Sequence, residues 1–285
     1  MLHAQGRVEF VSLNGSEKRF PLSLSQWNIL NLERVLGGTS VNNISTTVRI
    51  TGRLDFPVLQ QSISLVIEHD PTLRTRLTEA DGTVSQYHAS FEKETFPVYD
   101  FSNTSKEGIE NWENAVTREL IPLFDGPLYR FILFRDSENG GGVLVKLHHI
   151  IADGWSQIML CNKIGQTYLD LLTGNIPDLP DAPDYELHVI EEQEYLASKA
   201  FKKDEKYWKE IVSHAGEPSV LKPVSSSAVS PVGRRQSFTL PEILNHAIYT
   251  YCEKNRVAPF AVYYMALAIY FKRSGGANNF TAGRI

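Results

Sequence analysis

Residues 143–156, V-L-V-K-L-H-H-I-I-A-D-G-W-S, constrain this chain more than any other stretch. They open as a buried strand, reach the adjacent pair His148 and His149, and pass through Asp153 and Gly154 into a helix predicted to start at Trp155. A stiff strand that ends in a base and turns through an acid and a glycine is how active-site groups are commonly presented. Successive strand side chains point to opposite sides, so one histidine faces a cleft and the other packs inward. With this composition, H-H-x-x-x-D-G arises by chance in roughly one chain per thousand. The spacing therefore carries information.

The rest of the chain alternates between helical and strand periods. Residues 21–36 have apolar residues at helical spacing behind a serine N-cap, and Gly37-Gly38 ends that helix. Residues 43–52 alternate as a strand. Asp55 is placed to cap a helix over 57–68, with Pro57 in its first turn. Residues 72–77 read as extended, and Asp81-Gly82 as a hairpin turn into a strand over 84–89. A helix is predicted over 106–120 and a strand in the second half of 124–135. Glycines 140–142 are the predicted turn into the histidine strand, which makes the two strands an antiparallel hairpin. A helix over 155–172 ends at Gly174, and the Pro/Asp run after it marks a lobe boundary. Beyond lie a charged helical stretch (185–212), a Ser/Pro/Val/Gly segment (217–233), a strand (236–240), a helix (241–255) and a more buried helix (259–273). Short strands are predicted at 8–13 and 279–285. The predicted organisation is a lobe with the motif over 1–175, a connector and charged helix over 176–233, and the beginning of a second lobe over 234–285.

The formal net charge of −5, with dispersed basic residues, argues against a general nucleic-acid or anionic-membrane binder. Only two cysteines occur, Cys161 and Cys252, with no Cys-x-x-Cys spacing, which suits a reducing cytoplasm. The N-terminus has no apolar signal core, and the longest apolar run, 260–271, is too short to span a bilayer. A soluble cytoplasmic protein without a membrane span is expected.

No H-E-x-x-H and no Cys/His cluster occur, so no metal site is expected. Two histidines satisfied within the core are the bland reading of His148 and His149. Asp153 can orient an imidazole as in a triad, but its short tether to His149 makes an in-plane contact awkward. The preferred reading is an ion pair with Arg74, which stands in an apolar, strand-like context and needs a partner if buried. Breaking such a pair would cost roughly 3–5 kcal/mol. The alternative has Arg74 snorkelling to the surface. Gly154 suits a turn that has no room for a side chain or that needs positive φ. There is no G-x-S-x-G elbow for a catalytic serine.

Several segments resemble, in order, the motifs of the condensation domains of nonribosomal peptide synthetases. Ser23-Leu24-Ser25-Gln26-Trp27 is similar to their S-x-A-Q opening, with serine in the alanine position and the tryptophan displaced. Residues 41–55 resemble their Y-N-I strand and G-x-L-D turn. Residues 67–77 resemble R-H-E-x-L-R-T-x-F through Leu73, Arg74 and Thr75, while His69, Asp70 and Pro71 depart from it. F-D-G-P-L-Y-R (124–130) resembles the G-P-L-x-R strand, and H-H-I-I-A-D-G-W-S the catalytic motif.

The resemblance implies an α/β fold (an α+β two-layer sandwich): a chloramphenicol acetyltransferase-like lobe with a mixed sheet, and a second lobe that is incomplete. It implies amide formation between a carrier-bound acyl or peptidyl thioester and a carrier-bound aminoacyl acceptor. His149 is implied as catalytic, either deprotonating or orienting the amine. His148, Asp153, Gly154 and Arg74 support the site, and Ser25, Trp155 and Ser156 line a substrate tunnel. No cofactor is permanently bound; phosphopantetheine arms of donor and acceptor carrier proteins present the substrates, beside a neighbouring adenylation domain. Trp155-Ser156 after Asp-Gly favours peptide-bond condensation over heterocyclisation, whose family replaces the histidines with aspartates; epimerisation relatives share the histidines. The T-S-V-N-N-I-S wording and a Met just ahead of the first motif point to a starter domain that N-acylates the first amino acid. Residues 236–284 resemble only the start of the second lobe, which puts activity of the chain alone in doubt. The rival readings are a stand-alone coenzyme A-dependent acyltransferase and a non-catalytic carrier-docking fragment.

Overall fold

A computed structural model describes residues 18–180, 182–214 and 238–275. The chain divides into two compact units, Met1–Glu194 and Tyr195–Ile285.

The first unit is built on a four-stranded mixed sheet. Its strands are β1 (Asn43–Thr51), β4 (Val98–Asp100), β5 (Tyr129–Ser137) and β6 (Gly140–His148), with β2 (Thr75–Ala80) and β3 (Thr83–His88) forming a separate hairpin. The order is β1-β6-β5-β4; β6 is antiparallel to both its neighbours, and β4 is parallel to β5. Strand alternation separates the two faces. Phe131, Leu133, Val143, Val145 and Leu147 point to one face, into a core shared with α2 (Phe56–His69) and α4 (Gly154–Leu172). Ile132 and Leu144 point to the other, against Val116 and Trp112 of α3 (Lys106–Arg118). A second apolar cluster joins Leu30 of α1 (Leu24–Val35) to Leu77, Val84 and Ile150, tying the hairpin to the loop that follows His149. Sequence reading missed β4, which has three exposed residues and no buried alternation to betray it.

Lys146 stands on the α3 face and is 1% exposed. Its ammonium donates to the carbonyl oxygens of Val116 (2.7 Å) and Glu119, satisfying acceptors at the end of α3. Burial lowers its pKa, and the nearby Glu119 charge acts in the opposite direction.

Four local expectations are corrected. Gly140–Gly142 lie in β6, and the turn is Glu138-Asn139. A Cβ on Gly142 would fall onto the Val48 carbonyl oxygen and one on Gly141 onto that of Phe134, so close strand approach is what requires these glycines. Residues Pro71–Arg74 form a 3₁₀ turn, and the strand starts at Thr75. The charged stretch over 185–212 is two helices, α5 (Tyr185–Ala197) and α6 (Lys199–Ser213), separated by Ser198, whose side chain accepts from Phe201 N–H and caps α6. Residues Phe238–Leu240 are not in a strand; the rest of that predicted strand, the strands at 8–13 and 279–285, and the segment over 217–233 lie outside the described residues.

The second unit contains α6, α7 (Glu242–Asn255) and α8 (Pro259–Gly275), with α8 packing on α7. Instead of being buried, α8 leaves Phe260 63%, Met265 56% and Tyr270 56% exposed. An all-round apolar sequence reports what a helix can bury, not what is present to cover it. No helix among the described residues is long and apolar enough to cross a membrane.

Candidate active site

The site forms where β6 ends. His148 N–H donates to Leu128 O (2.8 Å), His149 N–H to Asn42 O (2.7 Å), and Ile151 N–H back to His148 O (3.1 Å). The chain thus leaves the sheet in a tight turn directly after the histidine pair. Alternation places the two rings on opposite sides.

His148 is 1% exposed. Its Nδ1 accepts from Ile150 N–H at 3.2 Å, so the neutral ring carries its proton on Nε2, which lies 3.8 Å from Glu33 Oε2. Burial, reinforced by the neighbouring His149, pushes its pKa down to about 4. At neutral pH the contact with Glu33 is therefore not an ion pair. That carboxylate accepts instead from Asn42 Nδ2 at 2.5 Å, the residue whose carbonyl holds the His149 backbone.

His149 is half-buried on the wall of a cavity of about 370 Å³, whose lining also includes Ser25, Gln26, Thr75, Asp153, Ser156 and Tyr185. Among the described residues no side chain hydrogen-bonds its ring, which is left available to a substrate. The opposing wall is braced by α1. Ser23 and Gln26 form a reciprocal capping box at its start, Ser23 Oγ meets Tyr185 OH at 3.0 Å, and Gln26 Nε2 donates to Ile150 O (3.2 Å) and Gln86 Oε1 (2.8 Å). On the sheet side, Gln157 Nε2 donates to Ile44 O (3.3 Å) and Val145 O (3.2 Å), pinning α4 beneath the histidine turn.

The preferred Asp153–Arg74 ion pair is absent among the described residues. Asp153 is the N-cap of α4, and its Oδ1 accepts from Ser156 N–H (2.8 Å) and Ser156 Oγ (2.7 Å). Those bonds, backbone first, hold its carboxyl below the usual carboxylate range. Arg74 is satisfied by carbonyls instead: Nε donates to Ala89 O (2.9 Å), and Nη1 to Ile67 O (2.6 Å) and Glu68 O (2.5 Å). It thereby secures the end of α2 to the hairpin that carries Thr75. Gly154 is the first residue of α4, and neither reason expected for a glycine applies: its φ is not positive and nothing lies within 4 Å of where a Cβ would stand. Of the three residues expected to line a tunnel, Ser25 and Ser156 reach the cavity; Trp155 does not, and is 70% exposed on the outer side of α4. Sequence reading did not assign cavity positions to Thr75 and Tyr185. It placed Gln26 only in the S-x-A-Q resemblance, although its spacing from Ser23 is that of a capping box, and Tyr185 reaches the site only through the packing of α5.

With Asp153 acting as a cap rather than as half of a buried ion pair, Asp153→Ala is expected to cost about 1 kcal/mol, not several. Asp153→Ser should retain most of that stability. Chemical denaturation of the three proteins checks both outcomes.

A mixed sheet with helices on both faces and H-H-x-x-x-D-G at a strand end, one histidine locked in the core and the other open to a cavity, is the arrangement of a chloramphenicol acetyltransferase-like α/β fold. The condensation domain family model matches residues 16–285, and the chain belongs to that family. It is 30% identical over 269 residues to surfactin synthase subunit 1 of Bacillus subtilis (strain 168), covering 93% of this chain and 8% of that protein. The dimodular nonribosomal peptide synthase of the same organism is 26% identical over 275 residues, covering 93% of this chain and 12% of that protein. Among solved structures, the first condensation domain of the CDA synthetase superposes with a TM-score of 0.76 at 19% identity, over 91% of this chain and 63% of that one. The starter condensation domain of rhizomide synthetase superposes with a TM-score of 0.65 at 22% identity, over 71% of this chain and 50% of that one. The chain thus spans only a small part of these synthases, and about half to two thirds of these solved domains.

Proposed function

We propose that this chain takes part in amide formation between a carrier-bound acyl thioester and the amine of a carrier-bound aminoacyl group. The observation that carries this reading is the His149 ring, unclaimed by any described side chain, on the cavity wall with neutral His148 fixed behind it. The amine nitrogen attacks the thioester carbonyl, the C–N bond forms, and the C–S bond breaks. The proton leaving nitrogen passes to the departing thiolate, with His149 carrying it or holding the amine in line. His148 props the turn through Ile150 N–H, Asp153 and Gly154 start α4, and Arg74 holds the facing hairpin. Ser25 and Ser156 edge the cavity.

Donor and acceptor would arrive on the phosphopantetheine arms of carrier proteins, with an adenylation domain in the same cytoplasmic synthetase loading the amino acid. The starter reading, in which the donor is a fatty acyl group, is supported by the likeness to the rhizomide starter domain. In domain terms, residues 1–175 would be the lobe bearing the chemistry, 176–233 the connection, and 234–285 the beginning of the second lobe.

The test is reconstitution of the natural polypeptide with acyl-loaded donor and aminoacyl-loaded acceptor carriers, followed by intact-mass analysis. An acceptor carrier heavier by the acyl group, in an alkali-stable linkage to nitrogen, is expected. An unchanged acceptor mass would overturn the reading.

A further inference from the structure

The cavity has a second histidine-linked group that the H-H-x-x-x-D-G motif does not account for. Thr75 opens β2 and lines the same cavity as His149, yet is 1% exposed. It lies directly across the hairpin from His88, and its Oγ1 meets His88 Nδ1 at 3.1 Å. No other hydrogen bond to this hydroxyl occurs among the described residues. A buried hydroxyl with one partner and a cavity beside it has acceptor capacity left over.

Resting on the amide-forming reading above, we propose that Thr75, with its proton directed to His88, accepts a hydrogen bond from the acceptor amine and positions it for His149. A hydroxyl has one proton to give. If His88 Nδ1 takes it, Oγ1 can only accept toward the cavity, which is the polarity an amine N–H requires. The surroundings of His88 fit the acceptor role. Its ring packs on Phe20 at 5.2 Å between centroids, and burial outweighs the acidic Asp184, Glu186 and Asp70 in lowering its pKa, with Arg74 acting in the same direction as burial. The ring is then neutral near pH 7, and in its Nε2–H tautomer Nδ1 is the acceptor the proposal requires. Thr75 and His88 are positioning residues in this scheme; neither forms a bond to substrate carbon.

The experiment uses the natural polypeptide with an acyl-loaded donor carrier and an aminoacyl pantetheine thioester as titrated acceptor. Thr75→Val, which has the same shape and lacks the hydroxyl, is expected to raise the acceptor KM at least fivefold without altering saturation by the donor carrier. Thr75→Ser should restore the natural value, and His88→Phe should reproduce part of the defect, because the hydroxyl loses the partner that orients it. Thr75→Val with an unchanged acceptor KM would overturn the inference. So would equal defects in Val and Ser variants accompanied by equal falls in melting temperature, since the hydroxyl would then be doing no more than closing a hairpin. If the unsubstituted protein makes no amide, the underlying reading fails and this inference fails with it, a result distinct from an active enzyme indifferent to Thr75.

Discussion

Replacing His149 by alanine is expected to slow amide formation by about 100-fold or more while leaving the fold intact. The chemical part follows from the site: the imidazole is the ionisable ring open to the cavity at the strand end, and in the proposed reaction it handles the amine proton or its orientation. A 100-fold loss corresponds to about 3 kcal/mol of transition-state stabilisation. The structural part follows from the bonding. The only hydrogen bond the residue gives the protein among the described residues is its backbone N–H to Asn42 O, which alanine retains. Its half-buried ring leaves a gap open to the cavity rather than a closed void, so the stability change should stay within about 1 kcal/mol. Turnover measured by the mass of the acceptor carrier, together with a melting curve, checks both parts. Near-normal turnover would exclude the proton-transfer and positioning roles together.

The histidine next to it should behave in the opposite way. His148 is buried neutral, with a pKa held at about 4 against an ordinary value of 6.5. Between these values the unfolded chain binds a proton that the folded chain refuses, so stability rises with pH across this window. The contribution is fully present above about pH 6.5 and is lost as pH falls toward 4. The difference amounts to about 3 kcal/mol at the acid end, since each pKa unit is worth about 1.4 kcal/mol. His148→Gln cannot take up a proton, so its stability should fall less between pH 7 and pH 4 than that of the natural chain by about that amount. Denaturant midpoints at several pH values for the two proteins check this. Parallel pH profiles would mean that His148 titrates equally in the folded and unfolded states. The same substitution should also loosen the turn at Ile150, because the acceptor for that N–H is removed.

Thr75 shows how two neighbouring sequence facts separate into different roles. Arg74 and Thr75 stand together in the L-R-T segment, yet the arginine grips three backbone carbonyls while the threonine turns to the cavity. The 3₁₀ turn over Pro71–Arg74 makes that division, because it ends one residue before the strand alternation starts.

Much of the first unit was legible because its elements carry short-range chemistry. The serine cap of α1 and the aspartate cap of α2 satisfy local backbone N–H groups, Pro57 and the Asp81-Gly82 turn set local backbone angles, and β1 shows the two-residue period of a strand, all of which a sequence shows directly. The separation of His148 from His149 also came from a local rule, the two-residue period of a strand. What the sequence could not decide was pairing between groups far apart along the chain. Asp153 and Arg74 each needed partners, and reading them as partners of one another was consistent with charge alone. Asp153 instead caps α4 through the N–H and hydroxyl of Ser156, a local bond of the same kind as the Asp55 cap, which left the arginine without it; tertiary structure gave Arg74 carbonyls at the end of α2 and beyond the hairpin. The glycines of β6 were misread as a turn for the same reason: the need for a missing Cβ lies in the carbonyls of the strands on either side, and only the assembled sheet brings them near. Tyr185 and Thr75 became part of a cavity because α5 and the β2–β3 hairpin pack beside the turn, a fact that no spacing along the chain encodes. Sequence determined which groups had to be satisfied, and packing decided by whom, because hydrogen bonds and ion pairs are fixed by distance in space rather than separation in chain.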